Sequence, residues 1–386
     1  MKPLRKQGII IFTILALVLA ACGGDTTEET TVEETTPEVV ETLDSPAVTT
    51  ASSVETGAGV TSDPCPEAIG GIPTGADQSK GCIYLGMLND YTGPYAAAGP
   101  ALETAQRAFW LWANSSGGIG DYSVAIVEGT DTGYNPQKHL EAYNTQKDDV
   151  AALAMSLGTV QTLFILDEMD KDNMIAAPMS WYSGWSYKSV DKGLVVEFGS
   201  AYCADGMNAV DWALANLPVD IKTIGIMGGA GDYGSDWAAG VKYAAERNGL
   251  TVAWEYTPPS TEFDVAQAVG LMITQPVDAY FPAVVPSQMA QVAGGAAQQG
   301  VTPIAMLAAP AFNDAFVQEG FALKGLFESG AIYTMAWVAP YEYQSNAHAT
   351  MRATFASMGI DSASSFLVAG WSSQYHLKGV LEAAIK

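Results

Sequence analysis

Ile83-Tyr84-Leu85-Gly86-Met87-Leu88 is a short apolar run, and Asn89-Asp90-Tyr91-Thr92-Gly93-Pro94-Tyr95 breaks it before a helical stretch near residues 97–115. A strand buried on both faces reads as such an unbroken run, and a Gly/Pro turn running into a helix leads to a parallel crossover. The unit then recurs. Strand-type runs stand at Val124–Val127, Ala151–Leu157, Met174–Pro178 and Leu194–Phe198, with helical stretches near 135–147 and 160–172. After a helical connection over Tyr202–Leu217 the alternation restarts, with strands at Thr223–Met227, Thr251–Tyr256, Ala279–Val284 and Ile304–Ala308. Helices near 234–248, 264–273 and 287–299 separate them, and a strand-like run at Gly325–Thr334 precedes helices at 341–358 and 371–386. The pattern predicts an α/β fold of two doubly wound parallel-sheet lobes, the first from 64–201 plus 328–386 and the second from 202–327. Ligands bind beyond the carboxyl ends of such strands, so two lobes place the site in the cleft between them.

The 386 residues suffice for two domains and an appendage. With 17 Lys+Arg against 42 Asp+Glu the formal net charge is −25, which repels phosphate backbones and excludes nucleic acid as a partner. Three His and four Cys, with no CxxC and no Cys/His cluster, leave no metal site to expect. No cofactor is expected either.

Residues 1–22 read as an export signal. Lys2, Arg5 and Lys6 precede an apolar run from Gly8 to Ala21 that is too short for a permanent membrane span. The segment ends in Leu19-Ala20-Ala21-Cys22, which resembles a bacterial lipobox and makes Cys22 the expected site of lipid attachment. Residues 23–63 hold ten acidic groups, no basic group and no aromatic residue, so they are expected to form a disordered Thr-rich tether. Outside the cytoplasm Cys65 and Cys82 are the pair expected to close a small Pro/Gly-rich loop, which leaves Cys203 over.

The carboxyl-end loops carry a resemblance. Tyr84-Leu85-Gly86 with Thr92-Gly93-Pro94 and Gly99, then Gly117-Gly118-Ile119, Asn135-Pro136, and Asp232-Tyr233-Gly234 with Gly240 stand in a shared order and spacing. From about residue 82 onward the chain resembles the leucine/isoleucine/valine-binding family of ABC-importer receptors, with the type I periplasmic-binding-protein fold. The resemblance implies a monomeric solute-binding lipoprotein whose lobes, joined by a multi-strand hinge, close on a small polar ligand and present it to permease subunits. It implies that Gly158, Thr159 and Val160 hold a ligand carboxylate, as free N–H groups at a helix N-terminus suit an anion. The alternative for Thr159 is a plain helix cap. Ser180, Trp181 and Tyr182 would line the same cleft, with Tyr91, Tyr95 and Phe312 nearby and Tyr233 closing from the second lobe.

Two positions depart from that family. Ala98 replaces a ligand-packing Tyr, and the acidic partner of an α-ammonium falls near Ala311, with Asp314 the nearest carboxylate. An unpaired buried ammonium is costly, so the departure argues against an α-amino acid. Trp181, Tyr182, Trp185, Tyr233, Phe312 and Trp337 point instead to a more aromatic pocket. The family's last crossover leads back into the second lobe, whereas this chain stops at Lys386 inside a first-lobe helix, so a further C-terminal segment is expected. Two other readings stand beside the importer receptor. One is a sensory lipoprotein on the same fold. The other is an NAD-dependent enzyme using the GxGxxG of Gly229–Gly234, with Glu255 on the following strand. No GxSxG, HExxH or P-loop is present, and no enzymatic activity is expected.

Overall fold

The computed structural model describes residues 57–229, 233–259, 262–361 and 364–385. The export signal, Cys22, most of the tether and three residues of the GxGxxG lie outside these. The described chain opens earlier than the tether was expected to end: Val60–Thr61 pairs antiparallel with Cys82–Ile83. Gly59, at φ +71, lies against the backbone of Val150 and Ala151, where a Cβ would have no room. Residues 57–63 therefore belong to the folded body. Cys65 and Cys82 are disulfide-bonded, tying this segment to the first strand, and Cys203 is buried outside the disulfide.

The first sheet holds β1 (Gly81–Asn89), β2 (Tyr122–Ile126), β3 (Ala152–Leu157) and β4 (Ala176–Met179). They run parallel in the order β2-β1-β3-β4. Around them lie α1 (Gly99–Ser115), α2 (Pro136–Gln146) and α3 (Thr159–Asp172). After α4 (Tyr202–Asn216) the second sheet repeats the scheme with β5 (Thr223–Gly228), β6 (Thr251–Tyr256), β7 (Ala279–Ala283), β8 (Ile304–Leu307) and β9 (Ile332–Thr334). Its order is β6-β5-β7-β8-β9, again all parallel. Its helices are α5 (Tyr233–Arg247), α6 (Val265–Thr274) and α7 (Pro286–Gln298), and the chain returns to the first lobe in α8 (Asn346–Ser357) and α9 (Ser365–Ala384).

Three details differ from the expectation. The run at Leu194–Phe198 reduces to a single bridge between Val195 and Ala176. Residues Lys324–Glu328 are a helical turn, and only Ile332–Thr334 is strand, paired with β8. The second lobe thus runs on to Thr334, past the expected boundary at 327. The last helix begins at Ser365 rather than 371, because the Ser364 side chain caps it by accepting the Leu367 N–H.

Strand residues alternate between two cores, as the pleat requires. In β3, Ala152 and Ala154 face α1 and α9, while Leu153 joins Tyr143, Ile165 and Met169 on the α2/α3 side. On the α1/α9 side the rings of Phe109, Trp112, Trp371 and Tyr375 meet edge-on or tilted, with centroids 4.8–5.9 Å apart. Trp110 Nε1 donates to Gln374 Oε1 at 2.8 Å, and Gln374 donates in turn to the Ala154 carbonyl at 3.0 Å. The same apolar cluster runs through α4 into the face of the second sheet that α5 covers.

Helices α4 and α5 cross with their backbones in contact. A Cβ on Gly240 would stand 1.9 Å from the Cys203 carbonyl oxygen, and one on Gly206 would stand 2.6 Å from that of Trp237. Gly240→Val is expected to lower the unfolding free energy by about 3 kcal/mol, the upper end of the overpacking range. Urea unfolding measures this, and an unchanged midpoint would mean that the two helices separate freely.

Candidate binding site

Between the two sheets lies a cavity with about 320 Å³ of empty space, part of it open to solvent. Only about 20 Å³ of it admits a water-sized sphere, so in this arrangement the cleft is nearly closed. The first lobe supplies Tyr95, Leu102, Tyr134, Leu157, Met179, Trp181, Trp337 and Phe366; the second supplies Tyr233 and Pro310, and Tyr202 stands at the crossover. No charged side chain lines it. Seven of the eleven lining residues are aromatic, which sets the chemistry of the wall.

Most wall residues sit close to a strand end or a helix start. Leu157 and Met179 are the last residues of β3 and β4. Trp181 meets the rings of Trp337, Phe198 and Tyr202 at 4.7, 5.1 and 6.0 Å. Tyr202 and Tyr233 open α4 and α5, and their rings stand 5.1 Å apart. The Tyr233 hydroxyl donates to the Val284 carbonyl of the same lobe, which fixes the ring at the cleft. Tyr95 lies 4.9 Å from Tyr134, whose backbone is left-handed at φ 55. The Trp181 Nε1 is buried with no acceptor among the described residues, beside Gly199. A buried unmet donor of this kind calls for an explanation.

Of the ten residues expected to bind ligand, Tyr95, Trp181 and Tyr233 line the cavity. Gly158, at φ 106, and Thr159 form the start of α3 directly after Leu157. Thr159 Oγ1 and Ser180 Oγ are hydrogen-bonded to each other at 2.8 Å, and Ser180 Oγ also accepts from Trp185 Nε1 at 3.1 Å. Both hydroxyls are therefore engaged behind the wall, and Val160 follows them on α3 without reaching it. Tyr182 stands edge-on to Trp185 at 5.4 Å, and burial pushes its phenol up.

Two expected site residues lie elsewhere. The Tyr91 hydroxyl donates to Glu103 beside Gly129, so the ring turns away from the cleft; burial and that carboxylate keep the phenol protonated. Phe312 belongs to the core of the second lobe, 5.7 Å from Phe327 and 6.1 Å from Phe316, and Pro310 takes its place in the wall. Ala311 is fully buried, and Asp314 accepts from the Ser365 N–H and Oγ–H at 3.0 and 2.9 Å instead of facing the cavity. Tyr134, Tyr202, Leu102, Leu157, Met179 and Phe366 line the cavity without having been singled out as ligand contacts; a Tyr at the first position of a crossover helix was the one readable signal.

Around the cleft the lobes touch through polar groups. Asp236 of α5 accepts from the Ser183 N–H at 2.8 Å and its Oγ–H at 2.9 Å, and from the Cys203 backbone. Burial raises its carboxyl against the downward pull of those donors. Asp205, in the first turn of α4, is pushed up to about 6 by burial, opposed by a hydrogen bond from Ser200. Among the described residues no group of three His, Cys, Asp or Glu is placed to hold a metal, and no helix is long and apolar enough to cross a membrane.

Comparison with known proteins agrees with this architecture. A family profile described as "Periplasmic binding protein" matches residues 82–386. Among solved structures, a fatty acid ABC transporter substrate-binding protein from Thermomonospora curvata is 25% identical, with a TM-score of 0.73 over 85% of this chain and 78% of its own. An R. palustris ABC-transporter solute-binding protein in complex with 4-hydroxybenzoate is 14% identical, with a TM-score of 0.65 over 78% and 81%. A branched-chain amino acid ABC transporter protein from Thermus thermophilus with bound valine is also 14% identical, with a TM-score of 0.63 over 79% and 76%. No curated protein sequence matches the chain. The matched proteins are substrate-binding proteins rather than enzymes.

Proposed function

The chain belongs to the periplasmic binding protein family, and on that premise we propose that it is the monomeric, extracytoplasmic receptor of an ABC importer for small carboxylic acids with an aliphatic or aromatic body and no α-amine. The observation that carries this reading is the cavity wall, aromatic and aliphatic throughout and without a charged side chain. An α-ammonium would be buried there with no carboxylate to pair it, at a cost of several kcal/mol, on the order of that for any unpaired buried ion. An apolar body gains about 25 cal/mol for each Å² it removes from water. The carboxylate head is assigned to the first turn of α3, which lies directly behind Leu157 of the wall and becomes reachable only as the cleft opens; its N–H groups and the positive end of the helix dipole suit an anion. The unmet Trp181 Nε1, beside Gly199, is a second donor without a partner among the described residues. The fatty acid receptor, at 25% identity and a TM-score of 0.73, lends support to an acid, while the 4-hydroxybenzoate and valine receptors, each 14% identical, share the fold and favour neither class.

A thermal-shift screen of the folded body from residue 57 tests the class with straight-chain acids, benzoates, branched-chain amino acids and amides. Stabilisation by the acids alone is expected; stabilisation by amino acids alone would overturn the assignment. The net charge of −25 adds a kinetic signature. It opposes the approach of an anion, so association should quicken as salt rises, and slower association in salt would contradict an anionic ligand.

We also propose that Cys22 carries the lipid that holds the receptor at the membrane, with the acidic segment after it as a spacer. Cells fed an alkyne-bearing fatty acid should label the wild-type protein and not Cys22→Ala. Labelling of the variant would remove the anchor from Cys22.

A further inference from the structure

Two hydrogen-bonded contacts of the same form join the lobes. On one side of the cleft Asp236, in α5 of the second lobe, takes both the backbone N–H and the hydroxyl of Ser183 in the first lobe, at 2.8 and 2.9 Å. On the other Asp314 of the second lobe takes both the N–H and the hydroxyl of Ser365, the first residue of α9, at 3.0 and 2.9 Å. Each latch adjoins the cavity wall along the chain. Ser183 follows Trp181 and Asp236 follows Tyr233; Ser365 precedes Phe366 and Asp314 follows Pro310. None of the four residues lines the cavity.

We propose that Asp236 and Asp314 are positioning residues that hold the two lobes together over the cavity, setting how tightly the receptor grips a ligand without touching it. An inference about grip rests on the binding reading above, but the latch itself does not. Two second-lobe carboxylates each engage a pair of donors fixed at a helical start of the first lobe, so the contact forms only when the lobes meet in this register. Charge-assisted hydrogen bonds are about twice as strong as neutral ones, and four of them act in the joined state alone. Ligand contacts then select among closed states that the latches have already oriented. A latch lost from the closed state lowers affinity for every ligand by one common factor, whereas a residue touching the ligand changes the factors unequally.

The test begins without ligand. Spin labels at Glu141→Cys on the exposed surface of α2 and Glu246→Cys on that of α5 report the interlobe distance by pulsed electron resonance. Asp236→Ala, Asp314→Ala and the double variant should shift the distribution progressively toward longer distances. An unmoved distribution in the double variant would overturn the proposal even if every acid in the screen binds. In a binding titration with octanoate and 4-hydroxybenzoate, each single variant should raise Kd by about tenfold for both, the span of one charged hydrogen-bond pair. Kd changes that differ widely between the two probes would make the aspartates ligand contacts and overturn the positioning role. If neither probe binds the wild type, the acid-receptor reading fails while the distance measurement still decides the latches.

Discussion

Trp181→Ala is expected to abolish acid binding and to lower the unfolding free energy by about 3–5 kcal/mol, as for other large aromatic truncations in cores. Trp181 is 3% exposed and stands among Phe198, Tyr202 and Trp337, so its removal unsupports three rings at once. Two of them, Tyr202 and Trp337, are themselves cavity wall. The loss therefore spreads from packing to the site, and truncation merges the vacated space with a cavity that is already open. Trp181→Phe separates the two effects. It keeps an apolar ring while removing Nε1 and part of the indole's volume, so stability should fall by less than in Trp181→Ala, by about 1–2 kcal/mol, while affinity for a carboxylate falls further than that packing loss accounts for. Denaturant unfolding and calorimetric titration of both variants check this. A Trp181→Ala protein that binds the acids at wild-type strength would mean that the ligand sits elsewhere.

Mild acid is expected to weaken the fold through His139. Its ring is fully buried on α2, with Nε2 and Ser156 Oγ at 2.8 Å and Nδ1 without a partner among the described residues. Burial alone holds its pKa near about 3, far below the ordinary value of 6.5. The folded protein keeps this ring neutral, whereas the unfolded chain takes up a proton below pH 6.5. The stabilising contribution is thus complete above pH 6.5 and shrinks as pH falls, by about 1.4 kcal/mol per pH unit until the folded value near about 3 is reached. From pH 6.5 to 4.5 the wild type should lose about 2 kcal/mol relative to His139→Gln, whatever the carboxylates contribute to both. Parallel stability curves for the two proteins would show that His139 is charged inside the fold.

The repeat of strand and helix was legible because parallel strands buried on both faces leave unbroken apolar runs, as in Ile83–Leu88 and Ala279–Val284. Turn glycines and prolines punctuated these runs at the ends where the cleft lies. Strand pairing was less legible. Val195 has a strand's composition yet makes one bridge, and Val60–Thr61 pairs across the sheet from inside a polar tail. Both outcomes depend on neighbours distant in sequence. The site was legible in its aromatic character and less so in its membership. Tyr91 and Tyr95 are four residues apart on one loop, but Glu103 draws the first outward and the second faces Tyr134 in the cleft. Phe312 and Pro310 exchange roles because the short helical turn Ala309–Ala311 aims Pro310 at the cavity and Phe312 at Phe316 and Phe327. Absence of a carboxylate at Ala311 was a sequence feature that bore directly on ligand chemistry, and Asp314, the nearest substitute, is committed to Ser365.

The central claim is that this cleft takes an acid with an apolar body and refuses an α-ammonium. Calorimetric titration of the folded body with matched pairs tests it most directly: 4-methylpentanoate against leucine, and 3-(4-hydroxyphenyl)propanoate against tyrosine. Each pair differs only by the amine. The account predicts measurable heat and saturation for an amine-free member and none for its partner, since burying an unpaired ammonium outweighs what the shared body gains. Tighter binding of leucine or tyrosine than of its amine-free counterpart would contradict it.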